Sequence, residues 1–257
     1  MIKSKNQVLI AILYFLLAAS LGIILRLFPV TSVAATYKYI VHTHSHIALL
    51  GWVYVALTTL LFYAFINKDA QKKYFVLFWS TQITILGMLF SFPITGYALY
   101  SIIFSTLFLI CSYWFYAFFR KHNNCKKENY SYKFINASLL FMIFSSIGPW
   151  ALGIIMNTLG NTSHWYKNAI YFYLHFQYNG WFIFCLLGIF IFFLEKSNIN
   201  INKLYPDEAQ FSSQPDEFKK DFLIESGYSY GADILLKYSV DRLFLWGVYS
   251  YFLPFFL

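Results

Sequence analysis

The stretch "YIVHTHSHIALLGWVYVALTTLLFYAFI", residues 39–66, carries the first architectural signal in the chain. From 47 to 66 it has no charged side chain. A helix of about 20 apolar residues is what the hydrocarbon core of a bilayer requires, and only a helix or a closed barrel satisfies its own backbone there. The run therefore predicts a transmembrane helix. At its entrance stand His42, His44 and His46 on alternate positions. Titratable rings are costly at that depth and mark a function or a buried partner.

On either side of this stretch, five further runs at 8–30, 74–93, 97–119, 134–156 and 169–194 pass the same test. The chain has 257 residues, 59% hydrophobic, 23% aromatic and only 12% charged, too little polar surface to cover a soluble domain. The fold class expected is all-α, a polytopic transmembrane helical bundle of about six spans over residues 1–195. Pro93 falls at a span end, whereas Pro149 lies inside the fifth span and predicts a kink.

Charge sets the expected orientation. Lys3, Lys5, Lys68, Lys72, Lys73, Arg120, Lys121, Lys126, Lys127, Lys133 and Lys196 fall on one side, against Lys38 and Lys167 on the other. The positive-inside rule makes the first side, with the N-terminus, cytoplasmic. Cleavage after "SVAA", residues 32–35, as a signal peptide is the competing reading, but the preceding apolar run is long for a signal core. The net charge of +8 needs no nucleic acid to explain it, since its basic residues cluster between apolar runs. The lipid bilayer is the first partner. Abundant Lys, Asn, Ile, Phe and Tyr fit an AT-rich bacterial genome, so the bacterial inner (cytoplasmic) membrane is expected. Cys111, Cys125 and Cys185 show neither disulfide nor thiolate-metal spacing.

In that orientation His42, His44 and His46 sit at the outer end of the second span, and His175 of "YFYLHFQYNGWF" about two turns into the sixth, at similar depth. Residues four apart share a helix face, so His42 and His46 address one target while His44 looks elsewhere. Neutral imidazole ligates iron, copper and zinc, making His42, His44, His46 and His175 candidate metal ligands. The plainer reading is hydrogen bonding to headgroups and carbonyls. Upstream of residue 200 the only acids are Asp69, Glu128 and Glu195, at cytoplasmic ends. A carboxylate-bridged di-iron site then lacks its ligands, a zinc hydrolase is disfavoured, and histidine-only ligation suits haem iron or copper. Gln177, Tyr178 and Asn179 are unusually polar for a span, placed either to line a cavity or to bond between helices.

These residues carry a resemblance. "VHTHSHIALLGW" is similar to the second helix of haem-copper oxidase subunit I, the catalytic subunit of cytochrome c oxidases and nitric-oxide reductases. His42 and Thr43 match a His-Thr pair, and Gly51, nine residues after His42, a glycine of that helix. "YLHFQYNGWFIF", with His175 and Gly180, resembles the sixth helix, which carries a copper histidine. The resemblance covers roughly residues 8–195 and implies haem held by His42 or His46, with Gly51 in the cofactor-binding stretch. It further implies copper or a second ligand at His175, and electron transfer or diatomic-gas chemistry. His46 has no counterpart in that family, which leaves both histidines open as the iron ligand. The family's subunit I continues into further helices bearing paired copper histidines and other haem ligands. No adjacent His-His pair occurs here, so further membrane subunits or a second copy are implied.

Beyond residue 195 the composition changes. Eight of the eleven acids lie past residue 200. Residues 196–242 read as a polar cytoplasmic linker or tail, and 243–257 as an apolar segment too short for a normal span. Truncation, or joining to foreign sequence near residue 200, would produce the same break. No internal repeat is expected. The rival to a haem protein is a non-catalytic membrane carrier or assembly protein whose histidines are structural.

Overall fold

The computed structural model describes residues 4–197. The expected linker past Ser197 and the apolar segment 243–257 lie outside the described residues. Within them the chain is all-helical, and six helices are long and apolar enough to cross a membrane.

The first span is α1 (Ser4–Leu27). The second, Tyr37–Phe65, is continuous but changes winding: α2 (Tyr37–His46), a π-helical segment (Ile47–Tyr54), then α3 (Val55–Phe65). The third span is α4 (Gln71–Thr95) with the short turn Lys68–Ala70 before it, and the fourth is α5 (Leu99–His122). The fifth divides into α6 (Tyr130–Ser145) and α7 (Ile147–Thr158). The sixth, His164–Lys196, is α8 (His164–His175), a second π-helical segment (Phe176–Phe182) and α9 (Ile183–Lys196).

The six runs of the sequence are all present, with shifted ends. The second span starts at Tyr37, not at 47, because its polar entrance is helical too. Thr43 Oγ1 donates to the Tyr39 carbonyl at 2.8 Å and Ser45 Oγ to the Val41 carbonyl at 2.7 Å, so these side chains direct their hydrogen bonds to their own helix. The break between α6 and α7 falls where Pro149 has no N–H for the Ser145 carbonyl. There Ser146 N closes on the Ile143 carbonyl at 3.1 Å instead. Tyr113 Oη, from α5, donates to Ser146 Oγ at 2.6 Å and accepts from Trp150 Nε1 at 2.9 Å, bracing the break against the fourth span. Pro93 lies inside α4, in its last turn.

Consecutive spans pack as hairpins: α1 on the first π segment, α4 on α5, and α6 on α9 and the second π segment. The second span forms the centre, with 61% of its most apolar window buried, against 17% for α1. That difference explains why α1 is apolar all round: Leu9, Leu13, Leu16 and Ile23 are exposed along it, the surface a lipid-facing helix presents. At the end opposite the histidines, Glu195 accepts from Ser131 Oγ at 2.6 Å and Ser131 N at 3.2 Å. A carboxylate there satisfies the open N–H groups and the positive dipole end of α6.

Candidate functional site

His42 and His46 sit one turn apart on α2 and face the same two rings. His46 lies 4.4 Å from Phe92 and 5.9 Å from Tyr97 between centroids, and His42 lies 4.6 Å from Tyr97 and 6.4 Å from Phe92. Phe92 comes from the last turn of α4. Tyr97 comes from the turn that joins α4 to α5, and that turn is specified locally. Gly96 has φ 61°, left-handed backbone that glycine tolerates, and a Cβ there would collide with the Tyr39 ring of the second span. Ser101 then locks the turn, donating from Oγ to the Gly96 carbonyl at 2.6 Å and accepting from Ala98 N at 2.9 Å.

The histidine nitrogens are not equivalent. His46 Nδ1 lies 2.8 Å from the His42 carbonyl, a hydrogen bond that puts the proton on Nδ1 and leaves Nε2 as acceptor. That Nε2 is 3.5 Å from the Tyr97 hydroxyl, a long contact. His42 Nε2 is buried with no hydrogen-bond partner among the described residues. His44 turns the other way: its Nδ1 reaches the Ala18 carbonyl of α1 at 2.9 Å, and its ring lies over Gly22. Thus the first span receives His44, and the third span with its following turn receives the other two.

His175 ends α8, with Nδ1 3.2 Å from Asn179 Nδ2. Gln177 is buried and donates from Nε2 to Ser145 Oγ at 2.8 Å, tying the sixth span to the fifth at the proline break. Tyr178 and Asn179 lie on the exposed face. Of the remaining histidines, His164 opens α8 and His122 closes α5 at the other end. No three His, Cys, Asp or Glu side chains converge in a way that could hold a metal ion among the described residues.

A local repeat, not expected from the sequence, relates the two histidine stations. "HIALLGW" (46–52) and "HFQYNGW" (175–181) share His-x4-Gly-Trp. In both, the winding widens to a π-helix at the residue after the histidine. In both, the glycine seats an aromatic ring of the preceding span: a Cβ on Gly51 would stand 3.1 Å from Tyr14, and one on Gly180 2.6 Å from Phe141. The π segments meet through Tyr54 and Trp181, whose ring centroids are 6.2 Å apart. Single π turns are rare and concentrate at functional sites, because the extra residue per turn re-aims the side chains around it.

Tyr97, Phe92 and the π winding escaped the sequence reading. Gly96 beside an aromatic residue at a span end was the available signal for the first, and the doubled His-x4-Gly-Trp spacing for the last. Comparison with known proteins found no matching family model, no matching curated protein and no matching solved structure.

Proposed function

We propose that this chain is a haem-binding integral membrane protein with an electron-transfer or diatomic-gas role, in which the second span supplies an axial imidazole from His42 or His46. The observation that supports it is the pair itself. Two imidazoles share one face: His46 is fixed through Nδ1 with Nε2 as the acceptor, and His42 Nε2 is buried and unpartnered. A backbone-held Nδ1–H is how proteins orient a ligating histidine and raise its basicity. Haem iron would need as little as one imidazole from the protein, which either member of this pair could give, whereas a bare ion held by three side chains finds no such set among the described residues. Bound haem would supply one-electron or gas-binding chemistry, while the chain's own residues hold it, orient it and exclude water.

Tyr97 and Phe92 stand in front of the imidazoles, so admission of a porphyrin requires the last turn of α4 and the Gly96–Ala98 turn to move aside. His175, the other member of the repeat, is the second station. A second copy or further membrane subunits would complete a redox centre. The bacterial cytoplasmic membrane, with the histidine end outward, is the setting the charge bias favours.

The second reading is a non-catalytic carrier or assembly protein with structural histidines. The bonds of His44 to the Ala18 carbonyl and of His46 to the His42 carbonyl favour it. Purification in detergent after expression with haem, followed by oxidised and dithionite-reduced visible spectra of wild type, His42→Ala, His46→Ala and His175→Ala, separates the two. A Soret band with sharp reduced α and β bands, lost in His42→Ala or His46→Ala, is expected. A folded, colourless wild type that gives no band on haem addition overturns the haem reading in favour of the structural one.

A further inference from the structure

Between the second and third spans, about two turns deeper than His46, lies a patch of buried polar groups that the histidine site does not use. Gln82 is 2% exposed, and neither its Nε2 nor its Oε1 has a hydrogen-bond partner among the described residues. The Tyr54 hydroxyl is likewise buried without a partner among the described residues, while the Tyr74 hydroxyl faces the hydroxyls of Thr58 and Thr59. Amides and phenols left bare in an apolar interior are costly, more so where no bulk water is at hand. These three residues line one cavity together with Thr58, Thr81 and Phe115. It offers about 10 Å³ to water centres, room for a single water molecule.

The donors and acceptors around it are complementary to water. Thr58 Oγ1 already donates to the Tyr54 carbonyl at 2.7 Å and Thr81 Oγ1 to the Leu77 carbonyl at 2.9 Å, so both hydroxyls have only acceptor capacity left. Gln82 Oε1 adds an acceptor, while Gln82 Nε2 and the Tyr54 phenol need acceptors themselves. One water donates twice and accepts twice. Among the described residues no charged or histidine side chain lines the cavity, so none balances an ion.

The geometry points to a built site for one neutral, water-sized hydrogen-bonding molecule, a buried water, that joins Gln82 of α4 to Tyr54 at the end of the first π segment. This places a polar node in the packed centre of the bundle. The π winding thereby acts at both of its ends, following the histidine at one and delivering the Tyr54 hydroxyl to the third span at the other.

Water-edited solid-state NMR on the full chain in lipid bilayers, with glutamine side chains labelled with nitrogen-15, tests this site. The Gln82 amide is expected to receive magnetisation from water, whereas that of Gln177, buried but already bonded to Ser145, is not. Gln82→Met identifies the signal by removing it. The same variant should lower the melting temperature, because the Tyr54 phenol and the threonines lose their bridge. A Gln82 amide as dry as that of Gln177 overturns the proposal. A Gln82→Met protein that melts higher than wild type also overturns it, since that is the outcome of deleting a bare amide from a dry core.

Discussion

The Tyr97 hydroxyl lies 3.5 Å from His46 Nε2, bringing a turn between the third and fourth spans over the entrance of the second. The contact is long for a hydrogen bond, and ring packing rather than that bond holds the tyrosine in place. Tyr97→Phe should therefore leave thermal stability within about 0.5 kcal/mol of wild type. Tyr97→Ala should uncover the imidazoles and increase the haem taken up on titration, read as Soret absorbance per protein. Equal uptake by Tyr97→Ala and wild type would show that the ring is no obstacle.

Gly96 is needed twice, for its φ of 61° and for the approach of Tyr39. Gly96→Ala should destabilise by about 1 to 3 kcal/mol, from backbone strain and overpacking together. Since the turn also carries Tyr97, the same variant should alter the environment of His42 and His46. Histidine-selective NMR would report both shifts, alongside thermal melting in detergent.

The glycines of the fifth and sixth spans should differ in tolerance according to what an added methyl meets. Gly180→Ala places a Cβ 2.6 Å from the Phe141 Cβ, and Gly188→Ala places one 2.5 Å from Ile135 Cδ1. Gly188→Ala also meets the Ile135 backbone nitrogen, but at 3.1 Å, and its closer contacts are side-chain atoms that can rotate, whereas the Phe141 Cβ cannot, so Gly180→Ala should be the more damaging, by about 1 to 3 kcal/mol. Gly153→Ala meets nothing within 4 Å among the described residues and should be neutral or stabilising by up to about 1 kcal/mol. Melting temperatures of the three variants check the ranking.

At the opposite end, Glu195→Ala leaves the buried Ser131 without its acceptor and should cost about 1 to 3 kcal/mol. Glu195→Gln keeps a carbonyl oxygen and should recover part of that loss. Protection of the Ser131 amide in hydrogen exchange should fall in the same order.

How much was legible follows from the range of each interaction. Six apolar runs are a one-dimensional property, and a bilayer-spanning helix needs little beyond length and composition, so the spans could be read off directly. The shared face of His42 and His46 is likewise helix geometry within a single turn. The helix reaches back to Tyr37, beyond the apolar run, because Thr43, Ser45 and His46 satisfy themselves by bonding back to their own helix, which apolarity alone does not reveal. The doubled His-x4-Gly-Trp was present in the letters, but its meaning lies in winding and in what packs on each glycine.

Local chemistry along the chain thus suffices for an all-helical protein with six membrane-compatible spans, a break at Pro149 and His42, His44, His46 and His175 toward one end. It takes the assembled bundle to assign His44 to the first span, to cover His42 and His46 with Tyr97 and Phe92, and to bond Gln177 to Ser145. The placing of Gln82 opposite Tyr54 across a cavity is of the same kind. A helix's own period fixes which residues share a face, whereas the neighbour of that face comes from another span, tens of residues away, and is chosen by packing.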